Sequence, residues 1–163
     1  MKENCDYIVF KNSKSCEKCN YSLPADCVLK KFKPTLKTFL AKKTSLNDFI
    51  WKIITFNRYS IYSVFNSGGE VVHQSKKIGK CFKFPFLNSK SYEIGPCFTL
   101  EKYRGKNIYP YVIKSIIKDD EHSDFFMLVN KENTSSINGI VKAGLKQAGY
   151  AKRTQGGIWH IEN

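Results

Sequence analysis

The sequence predicts an α/β (α+β) fold, a mixed sheet with helices packed on it, and three observations carry that reading. The hydrophobic period changes along the chain in the order helix, β-meander, helix, strand, helix, strand. Hydrophobic residues make up 42% and aromatic residues 14% of 163 positions, enough to build one core of domain size. No internal repeat, low-complexity tract or Pro/Gly linker interrupts the chain, so residues 1–163 read as a single domain.

Taken in order, Asp6 to Lys11 reads as a short first strand. Cys27 to Lys43 is basic and reads as irregular, with Pro24 and Pro34 interrupting any long helix. Ser45 to Thr55 reads as a helix: Ser45 caps it, Asp48 sits three residues on, and Leu46, Phe49, Ile50, Ile53 and Ile54 recur at helical spacing. Two β-rich runs, Tyr59 to Phe65 and Glu70 to Gln74, are joined by Asn66-Ser67-Gly68-Gly69, a hairpin signal. Runs at Gly79 to Phe86 and Tyr92 to Leu100 continue an antiparallel sheet.

Arg104-Gly105-Lys106-Asn107 then leads into a helix of about Ile108 to Lys118, with Ile108, Val112, Ile113, Ile116 and Ile117 along one face. Pro110 is tolerated because it lies in the first turn. Phe125 to Val129 reads as a buried strand. Asn133 caps the last helix, which carries Ile137, Ile140 and Val141 and stops at Gly144. Leu145 to Lys152 and Gly157 to Ile161 close the sheet.

Charge narrows the function. Lys and Arg total 27 against 14 Asp and Glu, a net charge of +13, which points to a polyanionic ligand or to a solvated surface. Only Arg58, Arg104 and Arg153 are arginines, whereas nucleic-acid readers lean on arginine for bidentate contacts, so no nucleic-acid partner is expected. Of the cysteines, Cys16-Glu17-Lys18-Cys19 forms one C-x-x-C pair. With no second pair and with His73, His122 and His160 far downstream, no metal is expected, and the thiols read as free. No apolar run approaches the ~20 residues of a membrane helix, and no apolar segment follows Met1; cytoplasmic location without membrane insertion is the expectation.

A strand running into a basic, glycine-containing turn and then a helix suits a pyrophosphate, because the turn's N–H groups and the helix N-terminus point at the anion. A plain surface turn is the competing reading. The run from Thr99 to Tyr109, with Tyr103-Arg104-Gly105-Lys106-Asn107 at its centre, resembles the acetyl-CoA loop of the GCN5-related N-acetyltransferases. Asn133-x-x-Ser136 followed by Lys142-Ala143-Gly144-Leu145 is similar to the next signature of that family. Three positions depart from it. Asn107 stands where the loop has a glycine, Tyr109 where it has Gly or Ala, and Ile140 where many relatives carry the tyrosine that protonates the leaving thiolate.

The resemblance implies a mostly antiparallel sheet of six to seven strands, splayed between the fourth and fifth, with helices on both faces. It implies an acyl-CoA-binding core over residues 91–145, a divergent part over 1–43, and acetyl-CoA or another acyl-CoA as co-substrate. The coenzyme would lie against Cys97, Phe98, Thr99, Arg104, Gly105, Lys106, Asn107, Ile108, Tyr109, Asn133 and Ser136. An amine would attack the thioester directly, its carbonyl polarised by the splayed strand. His73 and Glu93 are the candidate bases, against the alternatives of an exposed hairpin histidine and a solvated strand carboxylate. Tyr109, Tyr111 or a water would stand in for the missing acid, or the thiolate would leave unaided. Cys97 reads as a small packing residue, since no histidine is placed to activate it, and Tyr59, Tyr62, Phe65, Phe82, Phe84 and Phe86 read as core.

Lys83-Phe84-Pro85-Phe86, Ile94-Gly95-Pro96-Cys97-x-Thr99 and Tyr103 to Pro110 resemble a narrower group tied to surface-polysaccharide synthesis, which implies a nucleotide-linked amino sugar as acceptor. A peptide or small-amine acceptor, a non-catalytic acyl-CoA-binding protein and a basic nucleic-acid module are the rival functions. A homodimer stays open.

Overall fold

The structure, a computed structural model, describes residues 7–12 and 21–162. Cys5, Cys16 and Cys19, like Asp6 at the head of the first expected strand, lie outside the described residues. One sheet of eight strands runs in the order β2-β3-β4-β5-β6-β1-β7-β8. The strands are β1 (Tyr7–Asn12), β2 (Cys27–Phe32), β3 (Tyr59–Asn66), β4 (Val71–Gly79), β5 (Ser91–Thr99), β6 (Asp124–Asn130), β7 (Leu145–Arg153) and β8 (Trp159–Glu162). The helices are α1 (Leu36–Leu40), α2 (Leu46–Ile54), α3 (Ile108–Lys118) and α4 (Thr134–Lys142). Every pairing is antiparallel except β5 with β6.

Two parts of the expectation are corrected. Cys27 to Lys43 is not irregular: its first half is β2, the edge strand paired with β3, and Thr35 caps α1. The sheet has eight strands, against the six to seven that the resemblance implies. Gly79 to Phe86 is not a strand. Pro85 cannot donate to a ladder, and the segment folds into turns closed by Phe84 N–H to Cys81 O (3.0 Å) and Leu87 N–H to Phe84 O (3.1 Å). Its place is taken by β4, which continues through Ser75-Lys76-Lys77 because the two lysines find carboxylates, Lys76 at Asp48 (3.2 Å) and Lys77 at Asp120 (2.9 Å).

Period-2 alternation sorts the strand residues onto two faces. On one, Tyr62, Val64, Ile94, Phe125 and Met127 meet Ile108, Val112, Ile113 and Ile116 of α3 and Ile140 of α4. On the other, Tyr59, Ile61, Ile78 and Val9 meet the turns at Phe84 and Leu87, with Trp51 and Ile54 of α2 against them. Helices therefore cover both faces. The capping box of α2 is present as expected, Ser45 and Asp48 bonding reciprocally. Its orientation is not the obvious one. The buried residue of α2 is Asp48, which accepts from the Tyr59 hydroxyl at 2.6 Å, whereas Leu46, Ile50 and Ile53 face outward.

The feature that builds the site is the parting of β5 from β6. They pair only at Ser91↔Asp124, Tyr92↔Phe125 and Glu93↔Phe126. Beyond Glu93, β5 bulges through a cis Gly95–Pro96 bond and continues on β4 alone, with Ser75 opposite Cys97 and His73 opposite Thr99. Strand β6 follows β1 instead. The splay between these two strands is open to both faces. Among the described residues no helix is long and apolar enough to cross a membrane.

Candidate active site

The splay carries two cavities. The first, about 510 Å³, lies between β5 and the starts of α3 and α4. Ten of the eleven residues expected at the coenzyme line it: Cys97, Phe98, Thr99, Arg104, Gly105, Asn107, Ile108, Tyr109, Asn133 and Ser136. Lys106 does not; its ammonium lies over the Tyr103 ring, 4.8 Å from the centroid. Tyr103 and Lys142, which stand in the two motifs quoted above, also line the cavity; so do Asn138 and Gly139, which escape a reading of the sequence because they belong to a helix face with no distinctive spacing.

The turn has the backbone an anion site needs. Gly105 (φ 77°) and Asn107 (φ 56°) both hold left-handed conformations. Asparagine tolerates this region better than other residues with a side chain, so it fills a glycine position at modest cost. Asn107 makes no side-chain cap, which leaves the first N–H groups of α3 unclaimed by it. The Arg104 guanidinium folds back to donate to Thr99 O at 3.3 Å, fastening the turn to the end of β5. Across the cavity, Asn133 caps α4 by accepting from Ser136 N–H at 3.0 Å.

The second cavity, about 500 Å³, lies on the opposite side of the splay, between β5, β6 and α2. Trp51, Phe84 and Trp159 give it aromatic walls, Lys76 and Lys83 bring cations, and Glu93 is its carboxylate. The two cavities share Cys97, Tyr109, Asn133 and Ser136. They therefore meet at the splay, where a group entering from one side faces a group entering from the other.

At that meeting point the side chains have unusual protonation. Glu93 is buried, its Oε2 has no hydrogen-bond partner, and burial pushes its carboxyl up to about 8 against a smaller pull from Lys83. It fits because residue 95 is glycine: a Cβ there would run into the Glu93 carboxylate. Tyr109, the departure at the end of the loop, turns its ring inward onto Gly139 of α4, where a Cβ would collide with it. Its hydroxyl stands beside Cys97 and Ser136, and burial first, then the nearby Cys97 and Glu93, hold the phenol protonated. Burial likewise pushes the Cys97 thiol up to about 12, so it is no thiolate at neutral pH.

His73 lines neither cavity. It is fully buried, its ring bonded to Thr99 Oγ1 (2.7 Å) and Ser75 Oγ (2.8 Å), and burial lowers its pKa to about 4. Its ring centroid is 5.9 Å from that of Tyr109. The structure thus brings Glu93 and Tyr109 together at the splay and sets His73 behind the wall. Ile140, at the position where the resemblance places a tyrosine in many family members, is buried and lines the second cavity. Among the described residues no cluster of three His, Cys, Asp or Glu could hold a metal.

No protein-family profile matches the chain, and no curated protein matches it in sequence. Solved structures do. A GNAT-family acetyltransferase from Colwellia psychrerythraea aligns with a TM-score of 0.62 at 8% identity, over 89% of this chain and 53% of that one, so the present chain spans about half its length. The spermidine N-acetyltransferase of Vibrio cholerae, solved with CoA and spermine, aligns at 0.57 and 12% identity over 85% of this chain and 89% of that one. An aminoglycoside acetyltransferase in complex with coenzyme A aligns at 0.54 and 11% identity, over 83% and 94%. At such identities the likeness is one of architecture. The chain has the fold of the GCN5-related N-acetyltransferases.

Proposed function

We propose that the protein transfers an acetyl or short acyl group from coenzyme A to a primary amine. The observation that carries this is the meeting of two cavities at Cys97, Tyr109, Asn133 and Ser136, one fronted by the left-handed Gly105–Asn107 turn and the other holding a buried carboxyl. The pyrophosphate of the coenzyme sits on the turn and the α3 N-terminus. The pantetheine arm follows β5 past Thr99, Phe98 and Cys97, whose backbone is free of β6 at this point.

The amine enters from the second cavity. Glu93, once ionised, takes its proton, directly or through a water, and the neutral amine attacks the thioester carbon. As the C–S bond breaks, the Tyr109 O–H donates a hydrogen bond to the departing sulfur, the newly acylated nitrogen loses its surplus proton to water, and an amide and the CoA thiolate are left. This supplies from α3 what relatives supply from α4. His73, fixed by Thr99 and Ser75 under the Tyr109 ring, acts as a positioning residue. The protonated Cys97 speaks against an acyl-enzyme.

The acceptor we infer is a nucleotide-linked amino sugar. The resemblance to the polysaccharide group supports it, and so do the cations Lys76 and Lys83 beside Trp51 and Phe84, suited to phosphates next to a ring. The test is thiol release from acetyl- and longer acyl-CoAs against a panel of amino-sugar nucleotides, peptides and small amines. Failure to bind CoA by calorimetry at millimolar ligand removes the assignment. Binding without thiol release across the panel makes the protein a non-catalytic acyl-CoA binder.

A further inference from the structure

The outer surface of α1 and α2 belongs to neither cavity, yet it is not an ordinary soluble face. Leu36 (69% exposed) and Leu40 (73%) on α1, and Leu46 (67%), Ile50 (48%) and Ile53 (74%) on α2, all point to solvent at helical spacing. Just past the C-terminus of α2, Phe56 is 86% exposed and held at φ 50°, a left-handed conformation that bulky residues avoid. The two helices are fastened to each other by an edge-to-face contact of Phe39 with Phe49 (5.9 Å) and by Lys52 Nζ donating to Pro34 O (2.8 Å). Their apolar residues therefore occupy one corner of the molecule.

The charges around that corner have one sign. From Cys27 to Arg58 the sequence holds Lys30, Lys31, Lys33, Lys37, Lys42, Lys43, Lys52 and Arg58, against a single carboxylate, Asp48. Asp48 is buried and already bound by Tyr59 and Lys76. Lys31 is paired with Asp119, but Lys33, Lys37, Lys42 and Lys43 are exposed and take part in no ion pair among the described residues.

We propose that the α1–α2 face docks on an anionic lipid bilayer. Leucine, isoleucine and phenylalanine side chains standing out of short helices enter the boundary between headgroups and acyl chains, while flanking lysines meet lipid phosphates. Charge complementarity favours this occupant over a second copy of the chain. Two such faces in contact would bring unpaired lysines together, on molecules that each carry +13. Docking is peripheral, since the helices of 5 and 9 residues are far too short to span.

The test is co-sedimentation of the full chain with vesicles of phosphatidylcholine alone and of phosphatidylcholine with about 30% phosphatidylglycerol, at about 0.1 M salt. Binding is expected only to the anionic vesicles and is expected to fall steeply at about 0.5 M salt. Leu46→Ser/Ile50→Ser/Ile53→Ser and Lys37→Glu/Lys42→Glu/Lys43→Glu are each expected to weaken it about tenfold or more, with unchanged circular dichroism. Lys80→Glu/Lys90→Glu/Lys146→Glu, the same charge change elsewhere, is expected to stay within about twofold. No binding, equal binding to neutral vesicles, or an equal loss in the Lys80/Lys90/Lys146 variant overturns the proposal. So does a dimer in sedimentation equilibrium that the serine variant splits, because a second copy would then cover the face.

Discussion

Replacing Glu93 with glutamine leaves the shape of the splay intact and removes the ionisable group at its centre. In the folded protein the carboxyl titrates near 8 rather than at its ordinary 4.5, so the folded state holds a proton that the unfolded chain gives up. The sign follows. A raised pKa contributes stability that is fully present below about 4.5 and is lost progressively as pH rises through 8. Between pH 5 and pH 8 the loss integrates to roughly 3 kcal/mol, at about 1.4 kcal/mol per tenfold in proton affinity.

The substituted glutamine cannot ionise and escapes this penalty, although its amide, if unpartnered, brings a pH-independent cost of about 1–3 kcal/mol. The measurement is therefore the difference in Tm between variant and wild type as a function of pH. At about 2–4 °C per kcal/mol for a domain of this size, the variant should gain about 6–12 °C on the wild type between pH 5 and pH 8. Parallel Tm curves would show that Glu93 titrates normally. The raised value, and the assignment of this group as a base poised near neutrality, would then both fall.

The remaining predictions concern the reaction and its geometry. kcat/KM should rise as pH passes through about 8, and Glu93→Gln should lower it about a hundredfold and leave only the limb set by the amine; a wild-type profile flat from pH 6 to 9 would contradict this. Tyr109→Phe should lower kcat about 10- to 100-fold with CoA affinity within twofold, while Tyr111→Phe stays near wild type; equal rates for all three enzymes would mean the sulfur leaves unaided. Because the phenol is held protonated, no high-pH fall attributable to it is expected. Asn107→Gly should keep CoA affinity and Asn107→Val should weaken it about tenfold, the left-handed turn straining a β-branched residue by ~1–3 kcal/mol; equal Kd values would remove Asn107 from the pyrophosphate turn.

The first cavity is legible in the sequence because its residues are sequential and its signals local. Arg104 to Asn107, the bounds of α3 and the Asn133 cap each follow from turn and capping chemistry that acts within a few residues. The second cavity is not, because Trp51, Lys83, Glu93 and Trp159 come from four separate parts of the chain and meet only through the strand order. The run Ser75-Lys76-Lys77 hides half of β4, since its polar residues look like a loop until Asp48 and Asp120 are known to stand opposite. Periodicity locates α2 but not its facing. Asp48, through the Tyr59 hydroxyl, anchors the helix on the side a hydrophobic count would leave to water. His73 reads as a candidate base because it lies on an expected strand near the splay; its burial and its two hydroxyl partners, which set it behind the cavity wall, come from the fold and leave no mark in the sequence.

The notch at Gly139, where the Tyr109 ring rests, makes the two helices a lock and its key. A phenol reaching the splay from α3 needs α4 to be bare at that point, and a phenol rooted at position 140 would compete for the same space, since Tyr109 and Ile140 both wall the second cavity. Grafting a tyrosine onto position 140 alone would crowd the junction and not reinforce it.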